Sequence, residues 1–169
     1  MVTVANTFTL ARIALVPVFI AILYSSVPGK EWIAAAVFCI AAATDAFDGY
    51  LARKYNQISK IGTLLDPVAD KLLVISALIF LIGRGVPAWM AWVLIAREFV
   101  IVSLRLLVAP QEAIVPTTFG KLKTALEMIG VVGILLNIGT AIYVLLGAVI
   151  FSVISGLQYI LRFRKAIKL

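Results

Sequence analysis

The chain has 169 residues, 63% of them hydrophobic and only 14% charged, with a formal net charge of +7; its mean hydropathy is +1.12. A soluble domain carries about 45–50% apolar and about 25% charged residues, so a water-soluble globule of this composition would lack the polar surface to cover itself. The basic balance therefore points to a membrane leaflet with anionic headgroups as partner, and no nucleic-acid partner is expected. One cysteine and no histidine exclude a disulfide framework, a zinc centre of the usual kind and any Ser-His or Cys-His dyad. Cys39 lies in an apolar run and reads as a packing residue.

A membrane-spanning helix takes about 20 mostly apolar residues at about 1.5 Å each. The pattern predicts a first span from Thr9 to Ser25, ended by Val27-Pro28-Gly29-Lys30. A second begins near Trp32 and stays apolar to Thr44, with a helical pattern that continues to Tyr55. A third runs from Gly62 to Ile82, broken by Gly83-Arg84-Gly85-Val86-Pro87, and a fourth from Ala88 to Val108, ending before Pro110. Residues 128–161 carry no charge. As one straight helix they would measure about 51 Å, against a hydrocarbon core of about 30 Å. They must fold back, and Asn137-Ile138-Gly139-Thr140 is the available turn, which gives spans over 120–137 and 140–162. The expected architecture is an all-α integral membrane protein with six transmembrane helices, residues 1–169 forming one domain.

Positive charge sets the orientation. Arg53, Lys54 and Lys60 flank the second connection, Lys121 and Lys123 follow the fourth, and Arg162, Arg164, Lys165 and Lys168 close the chain. The other side has only Lys30 and Arg84. Both termini are expected in the cytoplasm. The N-terminus lacks the basic region and cleavage site of a signal peptide, and the short segment before the first span is expected to lie on the membrane surface.

All four aspartates, Asp45, Asp48, Asp66 and Asp70, lie between residues 45 and 70. Intramembrane carboxylates cost at least about 2.5–3.5 kcal/mol each on insertion scales and so need a reason. Asp45 and Asp48 are i,i+3 neighbours on one helix face, extended by Gly49, Ala52 and Arg53; Gly62, Asp66 and Asp70 repeat at i,i+4 on the next helix. Two adjacent helices thus direct four carboxylates towards one point. Such charges repel unless protonated or bound to cations, and oxygen-only donors suit Mg²⁺, Mn²⁺ or Ca²⁺. Gly49 and Gly62 leave room for a ligand at the backbone, and Arg53 can pair with a phosphate oxygen. Taken singly, these features have blander readings. Asp66-Pro67 resembles a helix N-cap with proline at the first helical position, Asp45 and Asp48 resemble a solvated helix end, and a lone glycine resembles a packing contact.

The complete arrangement, Asp45-Ala-Phe-Asp48-Gly49-Tyr-Leu-Ala52-Arg53, eight residues, Gly62, three residues, Asp66, three residues, Asp70, resembles the signature of the CDP-alcohol phosphatidyltransferases at all nine fixed positions. The resemblance implies a six-helix fold around a polar cavity open to the cytoplasm, usually a homodimer, that transfers a phosphatidyl group from a CDP-linked lipid to an alcohol and releases CMP. It implies two divalent cations, Mg²⁺ or Mn²⁺, on Asp45, Asp48, Asp66 and Asp70, with Asp70 also the general base. It places Gly49, Ala52, Arg53 and Gly62 around the CDP moiety. Direct transfer, without a covalent enzyme intermediate, is expected.

The acceptor is read from the second half of the chain. Ile95-Ala96-Arg97-Glu98-Phe99, Ser103-Leu104-Arg105 and Gly120-Lys121-Leu122-Lys123-Thr124 are similar to the phosphatidylglycerophosphate synthase branch of that family, as are Asp66-Pro67-Val68-Ala69-Asp70-Lys71 and the opening Ala5-Asn6-Thr7-Phe8-Thr9-Leu10-Ala11-Arg12. Ala96 stands where that branch has glycine, which removes no ligand group. The branch implies CDP-diacylglycerol and sn-glycerol 3-phosphate as substrates in a bacterial cytoplasmic membrane. A phosphate dianion needs two or three cations, for which Arg105, Lys121, Lys123 and Arg97 are the candidates. Asn6, Thr9 and Arg12 are candidates for holding the nucleotide. The blander readings are an ion pair at Arg97-Glu98 and membrane-surface lysines at 121 and 123. A phosphatidylinositol-phosphate or cardiolipin synthase would keep the aspartates and differ at the acceptor pocket. A small cation transporter would also hold intramembrane acids, but gives the Ala52-Arg53 pair and the glycines no role.

Overall fold

The computed structural model describes residues 4–55, 60–108 and 118–166, with side chains described for 11–44, 71–104 and 118–163. Among the described residues it is all-helical: α1 (Val4–Tyr24), α2 (Lys30–Tyr55), α3 (Lys60–Leu81), α4 (Ala88–Val108), α5 (Thr118–Leu135) and α6 (Ala141–Ala166), with one isolated bridge between Ile82 and Val86. These are the six helices expected from hydropathy. α1 starts at Val4, so the helix begins five residues before the expected start of the first span at Thr9. α3 starts at Lys60, so Asp66 and Pro67 fall inside a helix. The N-cap reading of that pair is thereby removed.

The chain divides into two compact units, Met1–Phe80 and Leu81–Leu169. In the first, α1 packs on α2. Phe19 and Phe38 are fully buried with ring centroids 6.0 Å apart, and Ala34, Ala35 and Ala41 keep the facing side of α2 low enough for α1 to approach. The end of α1 is tied off locally. Ser25 Oγ donates to the Ile22 carbonyl at 2.7 Å, and Lys30 Nζ donates to the Ser25 carbonyl at 2.9 Å, satisfying acceptors that a helix C-terminus leaves open. Tyr24 meets Phe80 of α3 edge-on, at 5.3 Å. On α3, Leu73, Val74, Ala77, Leu78 and Leu81 form one buried stripe at helical spacing.

In the second unit, α6 packs on both α5 and α4. Asn137 ends α5 in the left-handed conformation, with φ 57°. Its N–H donates to the Ile134 carbonyl at 3.0 Å and that of Ile138 to the Gly133 carbonyl at 2.8 Å, the paired bonds of a Schellman cap. The predicted fold-back is therefore where the chain turns. Beyond the turn the helices approach closely: a Cβ at Gly133 would lie 2.6 Å from the Ala141 Cβ, and one at Gly130 would lie 3.1 Å from the Leu145 Cβ.

Ala141–Phe163 of α6 is a stretch of 23 residues, long and apolar enough to cross a membrane, with 33% of its most apolar window buried inside the chain. A core helix of a soluble protein would be mostly buried. Large apolar side chains are exposed on every helix with described side chains, among them Ile40, Ile79, Trp92, Phe99, Ile129 and Leu157, which is a surface suited to lipid rather than water.

Candidate functional site

The aspartate motif occupies the end of α2 and the beginning of α3. Asp45, Asp48, Gly49, Ala52 and Arg53 lie in the C-terminal part of α2, and Gly62, Asp66 and Asp70 in the N-terminal half of α3. The helical spacing on which their convergence was predicted is thus present along both segments. Their side chains lie outside the described residues, as do those of Asn6 and Thr9 in α1 and Arg105 in α4. Arg12 is 2% exposed and is not a free cation. Among the described residues, no group of three or more histidine, cysteine or acidic side chains could hold a metal ion; the four aspartates lie outside the side chains described.

The second candidate cluster has described side chains. Lys123 on α5 is 1% exposed, and its ammonium donates to Glu98 Oε1 of α4 at 2.6 Å and pairs with Glu127 one turn along its own helix. Glu98 Oε1 also accepts from Arg97 Nη1 at 2.8 Å. Arg97 Nη2 donates to Ser155 Oγ of α6 at 3.0 Å, and Ser155 Oγ donates to the Ser152 carbonyl at 3.2 Å. Arg97, Glu98, Lys123 and Glu127 are therefore joined in one ion-pair network that, through Ser155, reaches all three helices of the unit.

Lys121 is exposed. Two residues along an α-helix rotate the side chain by about 200°, so Lys121 and Lys123 cannot present their charges from one face. The four candidate phosphate cations accordingly sort into Lys121, open; Arg97 and Lys123, engaged with glutamates; and Arg105, whose side chain lies outside the described residues. The ion pair read from the sequence at Arg97-Glu98 is present, whereas Glu127, Ser152, Ser155 and Tyr159 are not singled out by that reading. The last three are buried on one stripe of α6. Their signal was present in the sequence: hydroxyls at i, i+3 and i+7 in an otherwise apolar helix.

Comparison with known proteins turns the signature into an assignment. The sequence profile of the family described as CDP-alcohol phosphatidyltransferase matches residues 2–154. The chain belongs to the CDP-alcohol phosphatidyltransferase family. The match crosses the boundary between the two units, so the family's domain includes residues of both. A relative in Bacillus subtilis (strain 168), named CDP-diacylglycerol–glycerol-3-phosphate 3-phosphatidyltransferase, is 39% identical over 99% of this chain and 98% of its own length. Proteins of the same name in Shigella flexneri serotype 5b (strain 8401) and Escherichia coli (strain K12) are 34% and 37% identical; the alignments cover 93% and 78% of this chain and 92% and 76% of theirs.

Proposed function

We propose that this phosphatidyltransferase moves the phosphatidyl group of CDP-diacylglycerol to sn-glycerol 3-phosphate, giving phosphatidylglycerophosphate and CMP. The observation that carries this is the full nine-position signature on consecutive helices α2 and α3, in a chain whose near-full-length relative bears the name of that reaction.

The donor set fits divalent cations: four carboxylates, with no nitrogen or sulfur donor among the signature residues, favour Mg²⁺ or Mn²⁺. Bound there, two such ions would neutralise the diphosphate and stabilise the leaving CMP. Asp45, Asp48, Asp66 and Asp70 would hold them. Asp70 would also take the proton from the acceptor hydroxyl as its oxygen attacks the phosphorus, with the bond to CMP breaking in the same displacement. Arg53 would pair with a phosphate oxygen of the nucleotide, Gly49, Ala52 and Gly62 would let the CDP moiety approach the backbone, and Asn6 and Thr9 would line its entrance. Lys121 and Arg105 are the cations we assign to the acceptor phosphate. Arg97 and Lys123 have charges that already face Glu98 and Glu127.

We read the chain as multi-pass, in a bacterial cytoplasmic membrane, with both termini in the cytoplasm and a homodimer as the working assembly. Tyr24 closes α1, Trp32 opens α2, Trp89 and Trp92 open α4, and Tyr143 opens α6; all five are exposed. In a chain threading alternately through a bilayer, these are the ends on one side, opposite the basic segments. That pattern supports an interfacial aromatic belt facing away from the cytoplasm.

The test is CMP release by detergent-purified protein given CDP-diacylglycerol, with and without glycerol 3-phosphate. Metal-dependent release that requires glycerol 3-phosphate is expected, abolished by EDTA and restored by Mg²⁺ or Mn²⁺. Release only with inositol phosphate or phosphatidylglycerol would keep the family and overturn the acceptor.

A further inference from the structure

Lys123 carries a buried charge engaged by two carboxylates. Its ammonium has three N–H donors; two are directed at Glu98 and Glu127, and the side chain is 1% exposed. A phosphate ligand needs cations whose charge is open to it, whereas the Lys123 ammonium is already paired with Glu98 and Glu127. A dianion brought to Lys123 would meet two carboxylates at the same nitrogen.

What the network does is visible in the packing. α4 and α5 each pack closely on α6 but, among the described residues, not on one another. The Glu98–Lys123 pair spans from α4 to α5, and Arg97 continues the chain of contacts to Ser155 on α6. Next to Gly156, where a Cβ would lie 3.6 Å from Arg97 Cγ, the arginine runs along the α6 backbone. Lys123 sits near the start of α5, far from the turn at Asn137 that joins α5 to α6. That start is the part of α5 for which the α5–α6 turn gives the least restraint, and it carries the exposed Lys121.

We propose that Lys123 is a positioning residue: with Glu98 and Glu127 it locks the start of α5 to α4 and so fixes where Lys121 meets the acceptor phosphate. This rests on the reading of glycerol 3-phosphate as acceptor, and the test separates the two ideas. Lys123→Gln leaves Glu98 and Glu127 facing a neutral amide. Lys123→Gln/Glu127→Gln removes one charge of each sign and keeps amide hydrogen bonds across the lock.

Steady-state kinetics reads the consequence for each substrate. Lys123→Gln is expected to raise KM for glycerol 3-phosphate about tenfold or more, with KM for CDP-diacylglycerol within about threefold of wild type. The double variant is expected to bring the glycerol 3-phosphate KM back to within about threefold. A phosphate ligand would behave otherwise, because the double variant lacks the ammonium as completely as the single one. An unrecovered KM overturns the proposal.

A distance measurement reads the lock without any activity. Nitroxide labels replace the exposed Phe99 on α4 and Leu122 on α5, in a background where Cys39 is serine. Lys123→Gln is expected to broaden their distance distribution and the double variant to narrow it again; an unchanged distribution in Lys123→Gln overturns the lock. Failure of Lys123→Gln alone to fold supports it, while failure of both variants counts against it. Wild-type protein that ignores glycerol 3-phosphate would sink the acceptor reading and leave the distance result standing.

Discussion

Arg97 and Ser155 join the middle of α4 to α6 through a 3.0 Å hydrogen bond, although 58 residues separate them in the chain. The same guanidinium holds Glu98, which in turn holds Lys123, so the bond is the outer edge of a network with a buried carboxylate at its centre. The two kinds of member should differ in weight. Glu98→Ala leaves Arg97 and Lys123 without that carboxylate in a buried setting, where breaking one side of an ion pair costs about 3–5 kcal/mol. Ser155→Ala removes a single hydroxyl partner, costing about 0.5–1.5 kcal/mol. Denaturant unfolding in detergent should therefore rank Glu98→Ala well below Ser155→Ala; equal stabilities would mean that the carboxylate is not the centre of the network.

The α5–α6 contact gives a prediction set by space alone. At Gly133 an added Cβ would lie 2.6 Å from the Ala141 Cβ, while at Gly147 it would meet only Leu126 Cδ1, at 3.7 Å. Gly133→Ala must push the helices apart and is expected to cost about 1–3 kcal/mol, the range for overpacking a tight contact. Gly147→Ala gains helix propensity of about 0.8–1.0 kcal/mol without a clash, so it should be neutral or stabilising. Thermal unfolding of the two variants beside wild type checks this; a tolerated Gly133→Ala would mean that the helices meet less closely at that level.

Much of the fold was legible because, at the connections described, an apolar run is ended by a residue with a physical reason to end it. Pro28-Gly29 separates α1 from α2, Gly83 to Pro87 separates α3 from α4, and Asn137 takes the left-handed conformation that stops α5. The aspartate motif was legible because it is a spacing, and a spacing survives translation into a helix. The partners of the cations were not. Hydropathy counts a lysine without giving it a direction, so Lys121 and Lys123 read as a pair, although helical rotation sends one outward and the other to Glu98, 25 residues away. Asp66-Pro67 misleads locally in the same way: the dipeptide looks like a helix start, yet α3 is already under way from Lys60.

The proposed orientation rests on charge and can be tested at two positions. Gly139 lies in the exposed α5–α6 turn, and a Cβ there would meet nothing within 4 Å, so a cysteine is accommodated. Lys165 lies near the basic C-terminus. With Cys39 replaced by alanine, a membrane-impermeant maleimide added to intact cells should label Gly139→Cys and leave Lys165→Cys unlabelled until the membrane is opened, as the positive-inside rule requires. The reverse pattern would invert the topology and place the aspartate motif on the wrong side for a cytoplasmic nucleotide.

Asp70 is the residue on which the proposed chemistry turns. It is the last position of the signature, four residues beyond Asp66 on α3, and it is assigned both a share of the cations and the proton of the attacking hydroxyl. Asparagine has nearly the same size and retains an oxygen donor, but it cannot accept that proton as a base. Asp70→Asn is therefore expected to lower kcat for CMP release by about 10²–10⁴, the usual contribution of a positioned general base, while CDP-diacylglycerol still binds. Equilibrium binding of the CDP-lipid, measured alongside turnover, separates the two roles. Lost turnover with binding retained fits a base; loss of both in parallel would make Asp70 chiefly a cation ligand; and normal turnover would remove it from the mechanism.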